Sequence, residues 1–163
     1  MFHRQRLGRF LTWALALLVA GCGFHVQGRY DLPRSLANVR VETQDRQTDF
    51  YNALRASLLT AGARLDGAAE AAATVRILDD RTSERVLTVS ARNIPTAYRL
   101  SYRVKLAVEY QGRELMAAEE HELTREYSFD ERALLAKQRE RDALTQALGE
   151  DLAALVMRRL ATL

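Results

Sequence analysis

The residues best equipped for chemistry in this chain of 163 residues stand together near its start. They are Leu17-Leu18-Val19-Ala20-Gly21-Cys22, ending in the only cysteine. A thiol can be alkylated with diacylglycerol, and the small Ala20 and Gly21 let a signal peptidase grip the backbone just before it. The pattern predicts Cys22 as a lipidation site, carrying S-diacylglycerol and an N-acyl chain once the preceding residues are removed. With Cys22 acylated no thiol remains for a disulfide or for thiol catalysis. The other candidates are weaker. His3, His25 and His121 are scattered, and no Cys/His cluster has metal-ligand spacing. Glu119-Glu120-His121-Glu122 holds three carboxylates and an imidazole, but on a strand these alternate between faces, which predicts a solvated edge rather than an acid/base pair. There is no phosphate-cradling glycine loop and no nucleophile elbow. These residues predict a protein that is not an enzyme, with no metal and no cofactor beyond the lipid on Cys22.

The stretch that positions Cys22 reads as a lipoprotein signal peptide over residues 1–21. Arg4, Arg6 and Arg9 form a basic start without an acid, and residues 10–20 form an apolar run interrupted only by Thr12. That run is about half the roughly twenty residues of a bilayer-spanning helix. Gly23 follows the cysteine, where an Asp holds lipoproteins in the inner membrane of enteric-type bacteria, so the expected address is the outer membrane. The signal also carries the charge imbalance. The chain has 24 Lys+Arg and 21 Asp+Glu, and without the three signal arginines the balance is 21 to 21. A neutral domain removes the main support for nucleic-acid binding, which calls for a net basic domain or stripe.

What remains is long enough for one domain with a single core. Residues 22–38 read as a lipidated tether, with glycines and Pro33 opposing a helix, and 39–163 as the domain. Residues 39–43 alternate as a short strand. Residues 49–61 form a helix with Phe50, Leu54, Leu58 and Ala61 on one stripe, Thr48 as N-cap and Gly62 at the C-terminal end. Residues 66–72 read as a loop. A second strand, 73–78, meets an acidic interruption at Asp79-Asp80 and continues through 85–89. Residues 98–110 alternate most clearly, with Tyr98, Leu100, Tyr102, Val104, Leu106, Val108 and Tyr110 set against mainly polar neighbours. Gln111-Gly112 turns this strand into 113–127, where Leu115, Ala117, Leu123 and Tyr127 share a parity. Ser128 and Glu131 suggest a capping box for a helix over 130–160, striped by Leu144, Leu148, Leu152, Leu155, Val156 and Leu160. The order β-α-β-β-β-α predicts an α+β two-layer sandwich, with an about four-stranded, mixed, mostly antiparallel sheet and both helices on one face.

At this point the residues resemble a known family. Cys22-Gly23-Phe24-His25-Val26-Gln27-Gly28, Tyr30, Leu32-Pro33, Tyr98-Arg99-Leu100 and Thr124-Arg125-Glu126-Tyr127-Ser128-Phe129-Asp130, leading into Ala133-Leu134-Leu135-Ala136-Lys137, look like the lipopolysaccharide-assembly lipoprotein LptE family. Gln27, where a basic residue is common, and Pro95, where the hairpin is often glycine-containing, depart from it. The resemblance implies a partner of the outer-membrane β-barrel LptD, sitting inside it as a plug, helping it fold and contacting lipopolysaccharide. It also implies two lipopolysaccharide-binding cations. Arg92 in the Ser90-Ala91-Arg92-Asn93-Ile94-Pro95 turn matches the family's basic hairpin residue, and Lys137 matches its basic residue early in the final helix. The bland alternative is that each is one solvated charge among many. Two other functions stay open: an accessory lipoprotein of another envelope lipid-transport system, and a tethered hydrolase for which no convergent catalytic set is visible.

Overall fold

A computed structural model describes residues 30–65, 72–129 and 133–163. The expected signal peptide, and Cys22 and His25 in the expected tether, lie outside the described residues. So do 66–71, most of the expected loop, and 130–132, the expected start of the last helix. The chain enters through a single 3-10 turn, Arg34–Leu36, into strand β1 (Asn38–Glu42) and helix α1 (Asp49–Thr60). The two-residue strand β2 (Arg64–Leu65) follows. Three long strands come next, β3 (Ala73–Val89), β4 (Pro95–Tyr110) and β5 (Arg113–Ser128), and helix α2 (Leu134–Leu160) closes the order. The sheet runs β2-β1-β3-β4-β5, with β1 parallel to both its neighbours and the other pairings antiparallel. This is the expected α+β sandwich with one strand more. β2 is too short to show any alternation in sequence.

Local chemistry explains the boundaries. The Thr48 hydroxyl accepts the Tyr51 amide at 3.2 Å as N-cap of α1. At the other end Gly62, with φ +87°, lets Gly62 N donate to Leu59 O and Ala63 N to Leu58 O, a Schellman closure. Gln111 and Gly112 both have positive φ, as a two-residue hairpin turn between Tyr110 and Arg113 requires. The last helix differs from expectation. Ser128 is the final residue of β5, and α2 is described from Leu134 with Ala133 as an N-cap that makes no side-chain bond.

Both helices and one face of the sheet share a single core. Phe50, Leu54 and Leu58 from α1 and Leu148, Leu152, Val156 and Leu160 from α2 meet Val39, Val75, Ile77, Leu100, Tyr102, Val104, Leu106 and Val108. Leu36, in the segment expected to be tether, is fully buried. Burying it contributes about 1.5–3 kcal/mol, so the approach to β1 belongs to the domain.

Bulges refine one expectation and correct another. The acidic interruption at Asp79-Asp80 is no break in β3 but a register shift between Ile77 and Asp79 within one strand. In β5 the register shifts opposite Leu106, Val108 and Glu109 bring Met116, not Ala117, into the core. An extra residue in one strand flips every following side chain to the other face.

Candidate functional site

Arg92, in the turn between β3 and β4, and Lys137, in α2 beyond the end of β5, are far apart in sequence, and the sheet carries both to the same end of the molecule. Arg92 sits in the β3–β4 turn, which opens beyond the Val89–Pro95 pair. Ser90 organises that turn: its backbone amide donates to Ile94 O at 2.7 Å, and its hydroxyl accepts the Ile94 amide at 3.2 Å. Asn93 closes it in the left-handed region, with φ +61°, which a short polar side chain tolerates. Arg92 is exposed and makes no ion pair among the described residues. Lys137 lies one turn into α2. Its ammonium donates to Glu140 Oε2 at 2.7 Å and to Ser128 Oγ at 3.2 Å, and its side chain is only 17 % exposed. Ser128 pairs with Ala97 of β4, and the Phe129 amide donates to Thr96 O at 2.8 Å. The strand segment leading out of the Arg92 turn therefore pairs with the end of β5 that carries the Lys137 anchor, Ser128.

Beside Lys137 lies a small cleft of about 170 Å³, lined by Glu84, Tyr98, Tyr127, Phe129, Leu134, Lys137 and Arg141 among others, with Arg92 outside its lining. Tyr98 stacks on Tyr127 across the β4–β5 pair, with centroids 5.7 Å apart, and meets Phe129 edge-on at 5.4 Å. Burial first, then the neighbouring Glu84 carboxylate, pushes the Tyr127 hydroxyl up to about 12, so it remains a neutral donor. Leu134 and Leu135, at the start of α2, are 52 % and 73 % exposed. The end thus combines aromatic rings, exposed leucines and cations, which suits an amphipathic anion rather than a reacting substrate. A larger cleft of about 690 Å³ lies further along α2, but its walls carry Asp49, Glu84 and Asp142 beside a single cation, Arg141. That balance does not favour an anion.

The run from Glu119 to Glu122 alternates between faces as expected. Glu119 and His121 face α2, where Arg159 grips both Glu119 oxygens at 2.7–3.2 Å and His121 Nε2 stands 3.8 Å from Glu119. Glu120 turns to the opposite face and pairs with Arg103 at 3.5 Å. The carboxylates do not converge on one point. Among the described residues no group of three or more His, Cys, Asp and Glu side chains is placed to hold a metal ion.

A family model described as "LptE: Lipopolysaccharide-assembly" matches residues 36–160, which takes in every strand and both helices. The chain belongs to the LptE family. Members are non-enzymatic lipopolysaccharide-assembly lipoproteins. The LPS-assembly lipoprotein LptE of Pectobacterium atrosepticum is 22 % identical over 162 residues, covering 98 % of this chain and 88 % of that protein. The LptE of Yersinia pestis is 23 % identical over 161 residues, covering 98 % and 77 %. Among solved structures, a lipoprotein B from Nitrosomonas europaea superposes with TM-score 0.69 at 24 % identity, over 85 % of this chain and 90 % of that one. The rare lipoprotein B of Shewanella oneidensis gives 0.68 at 23 %, over 77 % and 94 %. These two share the fold.

Sequence reasoning overlooked two structural features, one between the helices and one at the site. Gly149 is one: a Cβ there would stand 2.8 Å from Asp49 Cβ and 3.0 Å from Phe50 N, so this glycine sets how closely α2 approaches α1. Its only signal in sequence is a glycine inside an otherwise helical stripe. The Lys137–Ser128–Glu140 arrangement had no sequence signal at all, because it depends on how β5 hands over to α2.

Proposed function

We propose that this LptE-family chain is anchored in the outer membrane through acylated Cys22, plugs an LptD-like β-barrel, and contacts lipopolysaccharide phosphates through Arg92 and Lys137. The observation that carries this reading is the family match over 36–160, the whole described sheet and both helices. The geometry supports it in two ways. The sheet face away from the helices bears arginine–carboxylate ion pairs, Arg99 to Glu126 at 2.8 Å and Arg76 to Glu109 at 3.0 Å. Such a polar face suits the polar interior of a large barrel. The cations at the far end of the sheet stand beside aromatic and leucine side chains, and phosphate oxygens would replace Glu140 on Lys137 with charge-assisted bonds.

The test of the partner is capture of the acylated protein from solubilised outer membrane, with identification of what comes with it. A stable complex with a large β-barrel protein is expected, and an inner-membrane transport complex instead would refute the assignment. The test of the ligand is Arg92→Glu with Lys137→Glu. Lipopolysaccharide binding is expected to weaken about a hundredfold or more, since each of the two reversed charge-assisted contacts is worth roughly 1.5–3 kcal/mol, while the fold and barrel association hold. Unchanged binding in the double variant would remove the site.

A further inference from the structure

The sheet face away from the helices carries a repeated motif that the proposed function leaves unused. On β4, Arg99, Ser101 and Arg103 alternate outward between buried Leu100 and Tyr102. Their register partners on β5 are Glu126, Thr124 and Glu122. Here Arg-x-Ser-x-Arg lies beside Glu-x-Thr-x-Glu, so every cation has an acid within one rung. Arg99 reaches Glu126 at 2.8 Å, and Arg103 reaches Glu120 at 3.5 Å. β3 repeats the first half of this pattern as Arg81, Ser83 and Arg85. Its β4 partners are Arg103, Ser101 and Arg99, so two rungs set arginine directly against arginine. Like charges directly opposed are unfavourable. Arg81 is partly compensated by Asp79 at 2.8 Å, whereas Arg85 makes no ion pair among the described residues.

The other side of this stretch is open. β1 pairs only with Ala73–Arg76 of β3. The segment before α1 then reaches Asp80 through the Thr48 hydroxyl. Beyond it, residues 81–89 have β4 on one side and no strand on the other among the described residues, and Val86 and Val89 are about half exposed. Unpaired backbone groups on an edge are a template for another strand. The molecule itself shows which strand suits an Arg-x-Ser-x-Arg edge, because β5 already pairs with one.

We propose that residues 81–89 are the docking edge for an extended acidic segment of a protein partner, which adds beside β3 with carboxylates at alternate positions facing Arg81 and Arg85. The motif reads the same in both directions, so the charge match holds for a parallel or an antiparallel strand. A second copy of this chain fits poorly. Two-fold antiparallel registers oppose Arg81 to Arg85 when centred on Ser83, Asp80 to Glu84 when centred on Thr82, and Glu84 to itself when centred on Glu84, while the register centred on Val86 opposes no like charges but sets Arg85 against Leu87 and Arg81 against Ala91, leaving both arginines without an acid. The proposal goes beyond the barrel assignment and does not rest on it, so a failed outer-membrane capture and a failed edge experiment are separate results.

The experiment uses the acylated protein in detergent and a labelled ten-residue peptide with Glu-Val-Thr-Val-Glu at its centre, with binding read by fluorescence anisotropy. Saturable binding is expected, about tenfold weaker for Arg81→Glu with Arg85→Glu, from two cross-strand pairs turned repulsive. A peptide with arginines in place of the glutamates should reverse the order, binding the double variant better than the parent protein. A third peptide, N-methylated at every residue of its Glu-Val-Thr-Val-Glu centre, keeps its charge but has no free amide on either edge to extend the ladder, and it should not bind. Equal binding of the methylated peptide would reduce the edge to simple charge attraction and overturn strand addition. So would no peptide binding, or concentration-dependent self-association that the double variant abolishes. The methylated arm needs only the parent protein, so the proposal is testable even where the double variant folds poorly.

Discussion

Two carboxylates show how residue environment is written into stability. Asp80 is held above the ordinary carboxylate range, chiefly by burial, although hydrogen bonds from Thr48 and Tyr102 pull it down. The same burial raises the Tyr102 hydroxyl, whose oxygen accepts the Phe50 amide at 3.1 Å. Glu119 is held below the ordinary range, chiefly by its hydrogen bonds from Arg159. Linkage gives the two groups opposite signs. The raised Asp80 contributes stability below its unfolded-state value, and this is lost as pH rises through the folded-state value. The lowered Glu119 contributes stability above its unfolded-state value, and this is lost as pH falls through the folded-state value. Thermal unfolding of Asp80→Asn should therefore show the variant gaining on the parent protein as pH rises from acid to neutral. Glu119→Gln should lose against the parent at neutral pH and match it in acid. Parallel curves in either case would remove that group from the balance.

Among the elements, the contact between the two helices decides the layer that backs the sheet. Alanine is the better helix former by about 1 kcal/mol, so Gly149→Ala would stabilise an isolated α2. Its Cβ, however, meets the backbone of α1 at Asp49 and Phe50 rather than a flexible side-chain end. Overpacking of this kind costs about 1–3 kcal/mol, so the contact wins. The variant should melt below the parent protein, and an unchanged or raised midpoint in denaturant would show that α2 can shift without loss. The same argument marks which elements were legible. α1 was read with its cap and its glycine because both signals are local. β5 was read in the wrong parity near Met116 because a bulge is set by the partner strand, not by the residue that bulges.

On the scale of the molecule, stability and exposure are divided along the sheet. The half near β1 holds the packed core, while residues 81–89 of β3 and 134–147 of α2 reach beyond it with mainly exposed side chains. Backbone amides there should exchange with solvent well before those of residues 100–108, as few buried contacts hold them. Hydrogen exchange measured by mass spectrometry checks this, and binding of partner or lipopolysaccharide should protect this end first. Uniform exchange across the sheet would contradict the division. The alternating run of β4, the capped α1 and the α+β order could be read from sequence alone, because periodicity, capping and turn chemistry act within a few residues of each other. Only the tertiary structure decided that Arg92 and Lys137 lie at one end, that Lys137 is held by Ser128 and Glu140, and that Arg81 and Arg85 stand on an open edge. Those relations come from register and strand order, which join residues far apart in the chain and leave no periodic trace in it.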